Sequence, residues 1–535
     1  MKVCILGLDG ATWDLLMPWI EEGKLPTFST LIKGGVWGKL ESTVPPVTSP
    51  AWVSLATGMN PGKLGVFDFL SRKDYSYKAY RTTSAAFGRK AIWDYLAADN
   101  RRKVGIVNYA MLSPYEINGF IVSNTIFHRT GDTTFPSALK EELDQICDGY
   151  QDYIAYQEKE YNDTGLFLKD VNNVLDKQFA AIRYLMEQPC DFFIWVLSAT
   201  DWVQHLMWKY IDASHPLHNP EESAEYRLKL LEFWQRIDDF LRQAIEKNRE
   251  SNFLIVSDHG FGPQDECFNL AKWLEMKGYL RRSRGGKIFT GAKNSIMSLL
   301  NAMVKTALGK KVPRTFAKKV SSTFEVDITD EIDFARSKVY VLGHTIPFGA
   351  IYINLEGREP QGCVKKEEYA ILKAQIVDEL KNLSVDIGKD VEVQIFSPEE
   401  LYWGPYVTMA PDIIFTIDNW RCSVIERRFD GPLFKNEPFS NRHTGAHRMN
   451  GIFLAYGPDI NDGGAELSGL TLYDIAPTVL HMFGVPIPND VDGRVLSEIF
   501  RSDSEIAKRP LRYVDAGEVG RLKSRIIQLR KSGRL

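Results

Sequence analysis

Residues Met1–Gly10 read MKVCILGLDG, and the reading of this stretch decides the fold class. Val3 to Leu8 is a short, continuous apolar run, the pattern of a parallel strand buried on both faces. It ends on Asp9 and Gly10, and a helical pattern follows from about Ala11 to Glu22. One lysine, a brief apolar run and no cleavage site make a poor secretory signal.

The same alternation continues along the 535 residues. Further strands are expected at Val104–Val107, Phe120–Val122, Phe192–Leu197, Phe253–Ser257, Val339–Leu342, Ala350–Ile353, Val391–Ile395, Ile413–Thr416 and Ile452–Ala455. Helices are expected at Ala91–Ala98, Phe167–Met186, Ser223–Lys247, Lys366–Leu380 and Tyr473–Phe483. Strand, helix, strand, repeated, predicts an α/β protein with a mostly parallel central sheet and helices on both faces. One catalytic domain is expected over 1–500.

Arg281 to Val320 departs from this pattern, with eleven basic residues and no acidic one. Ile296, Leu299, Leu300, Met303, Val304 and Leu308 fall near helical spacing within it. It reads as a basic helical insertion, about 281–336. It is a lid or docking surface for an anionic substrate, a peripheral membrane contact, or a solvated loop. The end of the chain, 501–535, reads as a basic tail.

The net charge of −4 gives no global signature of nucleic-acid binding. Six scattered cysteines without a CxxC pair suggest neither a disulfide framework nor a zinc ribbon. No apolar run reaches the ~18 residues of a membrane span. A cytoplasmic location is therefore expected; oligomeric state is not readable.

Ligands of open α/β sheets bind beyond the carboxyl ends of the strands. Polar residues that directly follow apolar runs are thus the candidates. Asp9 follows the first run, where capping the next helix is its plainer role. Asp201-Trp-Val-Gln-His205 follows Phe192–Leu197, with a carboxylate and an imidazole at i, i+4 on one helix face. Asp258-His259-Gly260 follows Phe253–Ser257, where a tight turn is the plainer role. His443-Thr-Gly-Ala-His447 precedes the strand at Ile452. Three of these four places carry histidine in a chain that has only nine. A nitrogen and oxygen donor set without thiolates suits Zn²⁺, Mn²⁺ or iron. The set is large enough for two metals.

A hydroxyl nucleophile is offered by Val47-Thr48-Ser49-Pro50. Pro50 suits a first helical position, which would leave Thr48 at a positive helix terminus. Thr48 and Ser49 both remain open on this reasoning alone.

Together these motifs resemble the alkaline phosphatase superfamily, in its type I phosphodiesterase/nucleotide pyrophosphatase branch. An early Asp, Thr-x-Pro, Thr57-Gly-Met-Asn-Pro61, Asp-x-x-x-His, Asp-His-Gly and Gly-x-His before Ala455-Tyr-Gly-Pro458 occur in the family's order. Asp474-Ile-Ala-Pro-Thr478 and Asp492-Gly-Arg494 close the match. The resemblance implies a two-metal hydrolase of phosphate esters with Thr48 as nucleophile and a small anionic substrate. The alternatives are a phosphomonoesterase or phosphotransferase of the same superfamily, or a binding module on this fold. It implies one metal on Asp9, Thr48, Asp258 and His259, and another on Asp201, His205 and His447. The metals are usually Zn²⁺, and Mn²⁺ in some members. Ser49 and His443 are candidate substrate contacts. Leu64 stands where relatives carry histidine, and Phe69, beside Asp68, where nucleotide-cleaving relatives carry asparagine.

Overall fold

The computed structural model describes residues 1–88, 90–98, 100–124, 132–154, 163–283, 332–343, 347–426 and 429–516. Most of the basic insertion and of the tail lies outside these residues. Two compact units are present. The first is Met1–Val66, Thr83–Asp265 and Glu437–Leu535; the second is Phe67–Thr82 and Glu266–Asn436.

The first unit is built on a nine-stranded sheet. Its strands run in the order Ala465–Thr471, Val36–Glu41, Asn450–Tyr456, Asn252–Val256, Val3–Leu8, Phe192–Leu197, Val104–Tyr109, Gly119–Ser123 and Thr134–Phe135. The central strands are parallel, as the continuous apolar runs predict. Val3–Leu8, Phe192–Leu197 and Asn252–Val256 are buried at every position. Asn450–Tyr456 is antiparallel to both of its neighbours.

The sheet packs through alternate residues. Cys4, Leu6, Leu8, Phe193, Trp195 and Leu197 belong to one core with residues of the helices Trp13–Glu21, Thr164–Leu185 and Pro220–Lys247. Stacking of Phe179 on Phe240 at 4.0 Å joins the last two helices. On the other face Phe192 meets Phe483, just beyond the helix Ile475–Met482.

Val36–Glu41 and Ala465–Thr471 were not expected as strands. Ala465–Thr471 is an edge strand with six of its seven residues half-buried or exposed, so no apolar alternation marks it. A glycine and a lysine break the pattern of Val36–Glu41. Among the described residues no helix is long and apolar enough to cross a membrane.

The second unit carries a four-stranded sheet ordered Val339–Tyr340, Gly349–Ile353, Ile413–Ile417 and Val393–Phe396, all antiparallel. Glu266–Asn269 pairs separately with Cys422–Ile425 and Phe434–Lys435. The Arg72 guanidinium is fully buried there, between Glu359 at 3.1 Å and the Tyr352 ring at 4.3 Å. The expected strands over 339–342, 350–353, 391–395 and 413–416 thus belong to a sheet of their own.

One buried carboxylate ties distant helices of the first unit. Helix Pro26–Lys33 begins after Leu25, which caps nothing with its side chain. Asp238, on the long helix Pro220–Lys247, accepts the Thr27 N–H at 3.0 Å and the Phe28 N–H at 2.9 Å. Asp238→Ala orphans both donors and is expected to lower unfolding free energy by about 2–3 kcal/mol in urea titration. Asp238→Asn, which keeps one acceptor oxygen, should lose roughly half as much.

Candidate metal centre

Strand register places the candidate residues side by side. Leu8 pairs with Leu197, and Gly7 with Val256. The carboxyl ends of three adjacent strands therefore lie together, and Asp9, Ser198 and Ser257 each begin the next segment. Neighbouring strands lie only about 4.8 Å apart.

Asp9 does not cap the following helix. Thr12 does, accepting the Asp14 N–H. Between them Gly10 adopts φ +68°, a conformation that favours glycine, and its N–H donates to Asp258 Oδ1 at 3.2 Å. Asp201 lies in the first turn of the helix Ala199–Ile211, with His205 one turn on. After Asp258 and His259, the strand Gly260–Pro263 pairs antiparallel with Gly445–Arg448, setting Phe261 opposite His447. His447 thus sits on a short strand.

Two sets of donors converge. His259 Nε2 lies 3.4 Å from Thr48 Oγ1, 3.6 Å from Asp9 Oδ1 and 3.3 Å from Asp258 Oδ2. Asp201 Oδ1 lies 3.4 Å from His205 Nε2 and 3.2 Å from His447 Nε2, and the two nitrogens are 3.2 Å apart. The His259 and His447 rings stack at 3.6 Å, so the sets share a wall. Asp201, His259 and His447 also group within metal-binding reach.

The protonation pattern is fixed by backbone carbonyls, which accept but never donate. His205 Nδ1 faces Gly445 O at 2.8 Å, His259 Nδ1 faces Gly260 O at 3.1 Å, and His447 Nδ1 faces Pro46 O at 2.9 Å. In its neutral form each imidazole therefore carries its proton on Nδ1, and each Nε2 turns a lone pair toward the cluster. Asp9 Oδ1, Asp201 Oδ1 and Asp258 Oδ2 are buried and accept no hydrogen bond. Lone pairs facing carboxylate oxygens repel unless a cation lies between them. A tetrahedral site with bonds of about 2.0–2.2 Å has donor–donor edges of about 3.3–3.6 Å. The observed spacings of 3.2–3.6 Å fit that requirement.

Hydroxyls hold the backbone of these residues. Ser42 donates to Asp258 O at 2.6 Å, Thr200 to Asp9 O at 2.6 Å, and Ser257 to His259 O. Sequence reasoning missed all three. Their only mark is a serine or threonine one residue from a candidate or at the end of an unrecognised strand.

The helix bearing the hydroxyl candidates runs from Thr48 to Thr57 and is buried throughout. It starts two residues before the expected Pro50. Val47 occupies its cap position and no side chain caps it. Thr48 is the first helical residue and the hydroxyl that reaches the cluster. Ser49 Oγ is buried without a hydrogen bond. His443 stands outside both sets, its ring 5.5 Å from His205 and its Nδ1 2.9 Å from Ser440 Oγ.

The electrostatics show what an empty cluster would cost. Burial, then Asp258 and Asp201, push the Asp9 carboxyl well up. Burial is also the main cause that raises Asp258, to about 8. Burial works against the charged form of Asp201, but His205 and His447 hold its carboxyl well below the usual range. Burial lowers His259 and His447. Burial acts to lower His205 too, but Asp201 outweighs it and the imidazole ends raised.

A model of the family described as type I phosphodiesterase/nucleotide pyrophosphatase matches residues 3–427. The chain belongs to that family. Its class is that of phosphodiesterase/nucleotide pyrophosphatase-like hydrolases, which are generally two-metal dependent. Similar solved structures include murine ectonucleotide pyrophosphatase/phosphodiesterase 5, at 12% identity and TM-score 0.49, covering 94% of this chain and 100% of that one. The human protein of the same name has 14% identity and TM-score 0.45, covering 91% and 95%. An inactive threonine-to-alanine form of the murine protein, in complex with AMP, has 12% identity and TM-score 0.46, with 91% and 95% covered. No curated protein sequence matches.

The raised carboxyls set a pH dependence in the metal-free protein. Asp9 and Asp258 hold protons in the folded state that the unfolded chain releases near pH 4, and His205 acts in the same direction above pH 6.5. Their stabilisation is present at low pH and lost as pH rises through the folded values. The lowered His259 and His447 act oppositely, but only below about pH 6.5. Between pH 6.5 and 8 the stability of chelator-treated protein should therefore fall with pH in urea titration. Asp258→Asn should flatten that slope.

Proposed function

We propose that this chain is a two-metal hydrolase of phosphate esters, most specifically a phosphodiesterase or nucleotide pyrophosphatase, working through a phospho-threonine on Thr48. The observation that carries the reading is the convergence of three Nε2 lone pairs on three buried carboxylate oxygens that accept no hydrogen bond. Asp9, Thr48, Asp258 and His259 would hold one divalent ion, and Asp201, His205 and His447 the other. The nitrogen and oxygen donors suit Zn²⁺, with Mn²⁺ the alternative. Such ions supply a Lewis acid for the phosphoryl oxygens and lower the pKa of a bound hydroxyl.

The chain's own residues do the rest. The uncapped start of the helix Thr48–Thr57 presents its first N–H groups and its positive dipole end, which favours negative charge on Thr48 and on a phosphoryl oxygen. The Thr48 alkoxide attacks phosphorus in line, forming the Oγ1–P bond as the ester P–O bond breaks. The leaving alkoxide departs on the side of Asp201, His205 and His447. Water then enters from that side and forms a new P–O bond as the P–Oγ1 bond breaks, restoring the Thr48 alkoxide, and the proton it gives up balances the one the departed alkoxide takes up. Two in-line displacements retain configuration at phosphorus.

Thr48→Ala removes the attacking atom and should lower kcat by several orders of magnitude while metals remain bound. Metal content is read by elemental analysis, and turnover with nitrophenyl phosphate monoester and diester. Preference for the diester supports the phosphodiesterase assignment, and preference for the monoester moves the chain to the phosphatase alternative. Inversion at a chiral phosphorus would exclude the covalent route. A chain that binds no metal and gains no activity from Zn²⁺ or Mn²⁺ overturns the reading.

A further inference from the structure

His205 and His447 come from segments far apart in sequence, yet their Nε2 atoms lie 3.2 Å apart. The dipeptide between His443 and Ala446 accounts for this. Thr444 N–H donates to His205 O at 2.7 Å, in the middle of the helix Ala199–Ile211. Thr444 Oγ1 lies 3.1 Å from His205 O and 3.0 Å from Leu206 O, and accepts the Lys209 N–H at 3.3 Å. Gly445 O receives the His205 Nδ1 proton at 2.8 Å. Thr444 O accepts the Gln264 N–H at 2.8 Å, just past the strand that follows His259. Thr444 is completely buried.

Close approach makes these contacts reachable. A Cβ on Gly445 would lie 2.7 Å from Gln204 O and 3.0 Å from Trp208 Cβ. Only a residue without a side chain lets this strand lie against the helix. The hydroxyl of Thr444 meanwhile enters the helix's own ladder of donors and acceptors at Lys209 and Leu206.

We propose that Thr444 is a positioning residue, clamping the helix of Asp201 and His205 to the strand of His447 and so setting the geometry of that donor set. It touches neither substrate nor metal and acts through His205. The inference rests on the metal-centre reading given above. Valine matches threonine in shape but lacks the hydroxyl, so Thr444→Val removes the hydroxyl's share of the clamp while leaving the backbone bonds, and Thr444→Ser keeps both.

The full chain is titrated with Co²⁺, whose visible absorption reports ligand geometry, and its labelled histidines are followed by ¹⁵N NMR without metal. The unaltered chain should bind two Co²⁺. Thr444→Val should weaken one of them about ten- to a hundred-fold and shift its absorption bands, leaving the other unchanged. In the metal-free spectrum, the same variant should move the His205 ring signals and spare His259. Thr444→Ser should restore both readouts. A Thr444→Val protein with unchanged Co²⁺ affinity and unchanged His205 signals overturns the clamp. If the unaltered chain binds no Co²⁺, the metal-centre reading fails and the His205 signals alone decide the clamp. If Thr444→Val does not fold, hydrogen exchange of the Thr444 amide in the unaltered chain decides. Protection comparable to the helix amides supports the clamp, and fast exchange overturns it.

Discussion

Three carboxylates and three imidazoles share one buried site, where burial and their mutual charges push their protonation away from its ordinary values. Each imidazole proton is committed to a backbone carbonyl on the far side of its ring. In their neutral forms the near side offers only lone pairs to Asp9, Asp201 and Asp258, whose oxygens there accept no hydrogen bond. Desolvating such charges without a partner is among the more costly acts available to a fold. The surrounding structure must therefore hold these groups together against their own repulsion.

It does so with the sheet and with hydroxyls. Adjacent parallel strands in matched register bring Asp9, Asp258 and the start of the Asp201 helix to one edge. Ser42, Thr200 and Ser257 then grip the backbone carbonyls of Asp258, Asp9 and His259. A side chain that swings freely loses little by moving away from a like charge. A residue gripped on its backbone, with its ring locked by a second hydrogen bond, cannot move away.

The central strands were legible because a strand buried on both faces must be apolar throughout, as in Val3–Leu8 and Phe192–Leu197. The edge strand Ala465–Thr471 was not, since exposure removes the pattern that would mark it. At Pro50 local chemistry was two residues out: proline favours the first helical position, but it is the third residue of a helix that begins at Thr48, with Val47 in the cap position. Asp9, Asp201, Asp258 and His259 were legible because each lies just beyond the end of an apolar strand, whereas His447 sits on a short strand of its own. Their second contacts were not, because Pro46 O and Gly445 O are backbone atoms that carry no sequence signature. The division of the antiparallel strands into a separate sheet was equally silent, because register between distant segments is a property of the folded chain.

The bond from His447 Nδ1 to Pro46 O spans 401 residues. On the ribosome, at about 5–20 residues per second, such a separation takes on the order of 20–80 s to synthesise. Throughout that time the segment bearing Thr48 exists without one wall of its cluster. The hydroxyl thus emerges early, and its surroundings are complete only when the strand carrying His447 arrives.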